Sequence, residues 1–163
     1  MKHLLTILAL VAISHFNFAQ IAFKTGSPEM DTDLNSINVQ AKMDIGAFHT
    51  QLKLNYNVDD KKIDYMSAKL KMQPAEMYFA LEIGKYSKKN IDDVLVIYQK
   101  NKSQGWGNIA KQAGIKPGSA EFHAMKSNAS GKAKKGKDKD KDKDKDKDKE
   151  KKDQKNKGKG NKK

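Results

Sequence analysis

Beyond Ala133 the chain contains no apolar side chain, and from Lys137 to Lys149 it alternates lysine with aspartate without a break. A segment with nothing to bury cannot offset the entropy of being ordered. Strict alternation also sets like charges at i and i+4, which opposes a helix. The tail is therefore expected to be disordered over 127–163, and any fold must be built upstream of it. The aspartates do not make a calcium loop. An EF-hand starting at Asp138 would need glycine and glutamate at its sixth and twelfth positions, where the sequence has Lys143 and Lys149.

The other end is equally constrained. "MKHLLTILALVAISHFNFAQ" has a short positive start, an apolar run from Leu4 to Ile13 and a more polar exit. That layout is a secretory signal peptide, with cleavage expected after Ala19. The run is too short for a bilayer, which needs about 20 residues. These features predict an exported protein, in the periplasm or outside the cell, with signal peptide 1–19, a folded domain 20–126 and a tail 127–163. The chain has no cysteine, so disulfides, thiolate metal sites and lipidated-cysteine anchors are excluded, and packing alone must hold the fold.

The net charge of +13 belongs mostly to the tail. Lys126 to Lys163 holds 18 lysines against eight acids, whereas Gln20 to Met125 holds 14 against 12. Basic blocks flank the alternating run, and Lys132, Lys134, Lys135, Lys151, Lys152, Lys155, Lys157 and Lys159 are the expected polyanion-binding residues. Lysines that neutralise anionic groups release counterions and give salt-sensitive, sequence-blind affinity. Arginine is absent, so the planar fork that reads guanine or grips phosphate in two places is missing.

Between the two ends, helical spacing dominates. Leu34, Ile37 and Ala41 fall on one face of a helix that Asp31 or Asp33 would cap, behind a Gly26-Ser27-Pro28 loop. Asp44 would cap a second helix carrying Ile45, Phe48, Leu52 and Tyr56. Here Leu52, Leu54, Tyr56 and Val58 also alternate as a strand would, but no partner strand is evident. Asp59 or Asp60 opens a third helix with Ile63, Met66 and Leu70. Pro74 suits the first turn of a fourth, with Met77, Ala80, Leu81 and Gly84 on one face. Asn90 caps "IDDVLVIYQK", whose wide apolar stripe marks it as the central helix. The predicted fold is mostly α, a single small bundle of short helices arranged as helical hairpins.

"GWGNIAKQAGIKPGS" follows. Trp106, Ile109, Ala110 and Ala113 share one face, Gly114 suits a left-handed C-terminal cap, and Ser119 opens a last helix with Phe122 and Met125. Trp106, Gly105, Gly107, Gly114 and Pro117 are expected as structural anchors. The segment 106–126 is also similar to a helix-turn-helix, which gives the alternative function of a small nucleic-acid-binding module. However, "KPGS" lengthens the turn and only His123 and Lys126 could reach outward, fewer than a reading helix needs. Together with the preceding "KKIDYMSAKLKMQPAEMYFALEIGKYSKKNIDDVLVIYQKNK", the GWGxIAKxxGIKPGSxEFHxxK pattern resembles a group of small exported bacterial proteins with a helical domain and a low-complexity tail. That resemblance implies location and fold, and no activity.

Catalytic chemistry finds little footing. His49 and His123 are isolated from other ligand types at metal-binding spacing, so no metal, cofactor or catalytic residue is expected. Asp59, Asp60, Asp64, Asp92 and Asp93 would be the carboxylates of a cell-wall hydrolase, the enzyme alternative, but most fall at helix starts, where capping accounts for them. The function expected from these residues is non-enzymatic binding or envelope association. The tail would attach weakly to an anionic polymer such as lipopolysaccharide, acidic polysaccharide or extracellular DNA, and the domain would meet an unidentified partner.

Overall fold

The structure is a computed structural model that describes residues 22–135. The expected signal peptide and the lysine–aspartate run lie outside the described residues. Within them every regular element is helical: α1 (Pro28–Met43), α2 (Ile45–Tyr56), α3 (Asp60–Asp64), which runs into a π turn (Tyr65–Lys69), α4 (Pro74–Ser87), α5 (Ile91–Asn101) with a 3-10 turn (Lys102–Gln104), α6 (Trp106–Ala113) and α7, covering 120–135. The ambiguous stretch after Asp44 is a helix. Among the described residues none of the helices is long and apolar enough to cross a membrane.

Most starts follow from local chemistry. Asp44 Oδ1 accepts the Ala47 N–H at 2.9 Å and Asp59 Oδ1 accepts that of Lys62 at 2.8 Å. Asn90 does the same for Asp92, and Ser119 for Phe122. Each satisfies one donor that a helix leaves open at its first turn. α1 corrects the sequence reading. It begins at Pro28 with Ser27 as cap, rather than at Asp31 or Asp33, because Ser-Pro is itself a cap followed by a preorganised first residue. Asp31 is used differently: its Oδ1 accepts both the N–H and the hydroxyl of Thr25, at 3.1 and 2.6 Å.

The central helix is α4, not α5. Every residue from Pro74 to Gly84 is buried, with α1, α2, α5 and α6 packed around it. On α5, Val94, Leu95 and Tyr98 are buried, but Val96 is exposed. The reason lies in Glu76 and Glu82, which make α4 look two-faced in sequence. Both are buried and hydrogen-bonded. Glu76 Oε2 accepts the Gln73 N–H at 2.7 Å, closing the first turn, and Tyr98 donates to its other oxygen at 3.4 Å. Asn38 on α1 adds a further link by accepting the Ala75 N–H at 2.7 Å.

The Gly-Trp-Gly stretch is a clasp. Phe23 and Lys24 present their carbonyls to the N–H groups of Trp106 and Gly107, at 2.8 and 2.9 Å, so an extended segment satisfies the open end of α6. Gly105 has φ +89°, and a Cβ on Gly107 would lie 2.8 Å from the Thr25 oxygen. Between the glycines, buried Trp106 stacks on Tyr98 (centroids 5.1 Å apart) and meets the edge of Phe79 at 5.5 Å. Gly114 ends α6 in the left-handed region, and Ile115 returns its N–H to Ala110 at 2.9 Å.

α7 crosses the boundary expected at 126. Met125, Ala129 and Ala133 recur every four residues on its buried side, so 127–135 belong to the folded unit. The small side chains let the helix lie close to α1, where Gln40 donates to the Ala133 carbonyl at 2.6 Å.

Candidate functional site

Where α7 passes over α1, α2 and α4 it leaves a groove of about 850 Å³, within the size range of small-molecule sites. Its floor is unusual. Glu82, 1% exposed, lines the groove from the most buried helix of the fold. Tyr56 donates to one carboxylate oxygen at 2.5 Å and Asn128 to the other at 2.9 Å, and Asn128 also donates to the Tyr86 hydroxyl at 2.9 Å. A buried carboxylate is costly unless such bonds hold it. Burial is the main reason the Tyr56 phenol is pushed far above its ordinary value, and the neighbouring Glu82 charge adds to it. Tyr78 is raised for the same two reasons in the same order. Both phenols therefore stay protonated, and Tyr56 remains a donor to Glu82 at any working pH.

One wall is aromatic. Tyr56 meets Tyr78 edge-on, with centroids 6.3 Å apart. Lys132 from α7 sits above Phe48 and Tyr78, its ammonium 5.0 and 5.5 Å from the ring centroids, and donates to Gln51 Oε1 at 3.1 Å. Ring faces attract cations in this range. The rim carries amides (Gln40, Gln51, Asn55) and further lysines (Lys85, Lys135).

Of the expected polyanion-binding residues, Lys132 and Lys135 line the groove and Lys134 is exposed on the same helix. Lys151, Lys152, Lys155, Lys157 and Lys159 lie outside the described residues. Of the expected structural anchors, Gly105 and Trp106 are buried and Gly107 is half-buried beside them, whereas Gly114 and Pro117 are exposed at the turn before α7. In the helix-turn-helix segment, Trp106, Ile109, Ala110 and Ala113 face the core, Lys126 pairs with Glu29 at 3.2 Å, and Glu121 stands exposed beside His123.

Three of the five hydrolase carboxylates have other partners. Asp59 caps α3, and Asp60 and Asp92 form ion pairs with Lys53 and Lys62. The two carboxylates that do line the groove, Asp44 and Glu82, were not in that set, and Asp44 caps α2. Among the described residues no three His, Asp or Glu side chains gather as a metal site. Sequence reasoning missed Glu82, Tyr56, Tyr78 and Asn128. One signal pointed to the first of them: a lone glutamate inside the apolar run "MYFALEIG" is rarely buried without a reason.

Comparison with protein-family models, curated proteins and solved structures finds no match. The likeness to small exported bacterial proteins thus rests on the quoted residues alone.

Proposed function

We propose that this is an exported, non-enzymatic binding protein that attaches to anionic polymers of the cell envelope or its surroundings, with lipopolysaccharide, acidic polysaccharide and extracellular DNA as the candidate surfaces. The observation that carries the reading is the placement of Lys132 and Lys135. They belong to a helix packed on the domain, and they line a formed groove rather than a free tail. The remaining lysine block, Lys151 to Lys159, would add long-range, sequence-blind attraction. The engagement of Asp44, Asp59, Asp60 and Asp92 as caps and ion-pair partners supports binding over hydrolysis.

The test is binding of the full mature chain to polygalacturonate and to random-sequence duplex DNA across a salt series. One variant replaces Lys132, Lys134 and Lys135 with Gln, and another replaces Lys151, Lys152, Lys155, Lys157 and Lys159. Every lysine that neutralises a phosphate in the wild type should, once replaced, flatten the salt dependence on DNA by about 0.9 in the log–log slope. Both variants are expected to bind more weakly with a shallower slope and unchanged helical content by circular dichroism. Unchanged affinity and slope in both would overturn the proposal.

A further inference from the structure

We propose that the groove between α7 and the α1–α2–α4 face takes one or two units of an anionic sugar, with Glu82 and the amides of Gln51, Asn55 and Asn128 binding its hydroxyls and lysine meeting its charge. The inference rests on the polyanion reading above and names the chemistry of its specific contact.

Glu82 is the buried acceptor of the groove. A carboxylate offers about four acceptor positions, and Tyr56 and Asn128 take two of them. Glu82 lines the groove, so a ligand that reaches its remaining positions must bring donors of its own. An apolar ligand or a bare carboxylate brings none, whereas a hydroxyl does. The amides extend the same logic. Each carries a donor and an acceptor side by side, the spacing that two neighbouring hydroxyls of a sugar ring present. Gln51 accepts Lys132 on Oε1 and keeps its amide nitrogen as a donor, and Asn128 donates to Glu82 and Tyr86 and keeps its oxygen as an acceptor.

Charge then selects among hydroxylated ligands. A pocket of aromatic rings around a carboxylate ordinarily suits an ammonium ligand. In this protein the cation's place over Phe48 and Tyr78 is already taken by Lys132. With Lys85 and Lys135 beside it, the cations lining the groove outnumber Asp44 and Glu82, and Asp44 is engaged as a cap. The ligand that fits is therefore rich in hydroxyls and negatively charged. A nucleic acid fits less well. Its bases would need open ring faces to stack on, and Lys132 covers two of them.

The experiment uses the full mature chain and titration calorimetry with a galacturonic acid trimer and with glucose 6-phosphate, which separate a carboxylated from a phosphorylated sugar. Two groove variants are compared, Glu82→Gln and the pair Gln51→Ala with Asn55→Ala. A third variant carries the five tail Lys→Gln changes at 151, 152, 155, 157 and 159. At least one sugar should bind the wild type, and each groove variant should weaken it about tenfold, the loss expected for hydrogen bonds to a charged or bidentate partner. A groove substitution added to the tail variant should weaken short-sugar binding by the same factor as it does in the wild type. Gln51 and Asn55 are exposed, so the double variant decides the matter even where Glu82→Gln lowers stability.

If the groove variants bind the sugars like the wild type, or if neither sugar binds, the inference falls, while salt-dependent polymer binding through the lysine blocks still stands. If duplex DNA binding, rather than sugar binding, drops about tenfold in the double variant, the groove is a nucleic-acid site and the inference is likewise overturned. Failure of the wild type itself to bind any of the polymers would remove both readings.

Discussion

Gly107 and Gly46 make opposite demands on the same methyl group. At Gly107 a Cβ would fall 2.8 Å from the Thr25 oxygen and 3.0 Å from that of Lys24, both backbone atoms that the clasp holds in place. At Gly46, in the first turn of α2, the nearest atom would be Asp44 Oδ1 at an ordinary 3.8 Å. Gly107→Ala should therefore destabilise by about 2 kcal/mol through overpacking, and Gly46→Ala should stabilise by about 0.5 kcal/mol through the loss of unfolded-state freedom. Urea unfolding of the two variants checks both signs. Glu29 offers a pH test. Its own backbone amide, then the Ser27 hydroxyl at 2.8 Å and then Lys126, hold its carboxyl down from 4.5 to about 2. A depressed carboxyl contributes stability that is complete above 4.5 and is lost as the pH falls through about 2. The group is exposed, so the effect is small. The melting temperature of Glu29→Gln should fall less than that of the wild type between pH 4.5 and 2, and parallel curves would show that the contact contributes nothing. Capping was the most legible level of the sequence. Asp44, Asp59, Asn90 and Ser119 act where their identity and position indicate, because a cap depends on atoms only two or three residues away.

Helices were legible as helices but not in rank. α5 has the broader apolar stripe in sequence, yet α4 occupies the centre, because the two glutamates that break its apolar pattern are themselves buried and bonded. A polar residue read alone looks like a solvated face, and its partners, Tyr56, Tyr98 and Asn128, lie on other elements. The end of α7 was hidden for a different reason. Composition turns polar at Lys126, but Ala129 and Ala133 are small enough to pack without announcing an apolar stripe. This gives a direct comparison of two truncations. Ending the chain after residue 135 should leave the melting temperature unchanged. Ending it after 125 removes the Asn128 bond to Glu82, the Gln40 bond to Ala133 and the cover over Phe48, and should cost about 3 kcal/mol. Differential scanning calorimetry of both would show it. Equal melting points would mean that 126–135 does not belong to the folded unit.

Taken as one molecule, the domain gathers its groove from positions far apart in the chain. Gln51 and Lys132 are separated by 81 residues, and Tyr56 and Glu82 by 26. No local pattern encodes such a meeting, so the lysines were legible as charge while the groove they line was not. The near balance of lysines and acids in 20–125 now has a spatial complement, since the surplus begins on the helix that roofs the groove. The clasp at Phe23 and Lys24 spans the molecule in a similar way. Its partners at Trp106 and Gly107 leave the ribosome roughly 80 residues later, so no shorter nascent chain can close the core over Phe23. Phe23, the first buried side chain among the described residues, thus waits for the sixth helix before its backbone carbonyl finds its partner.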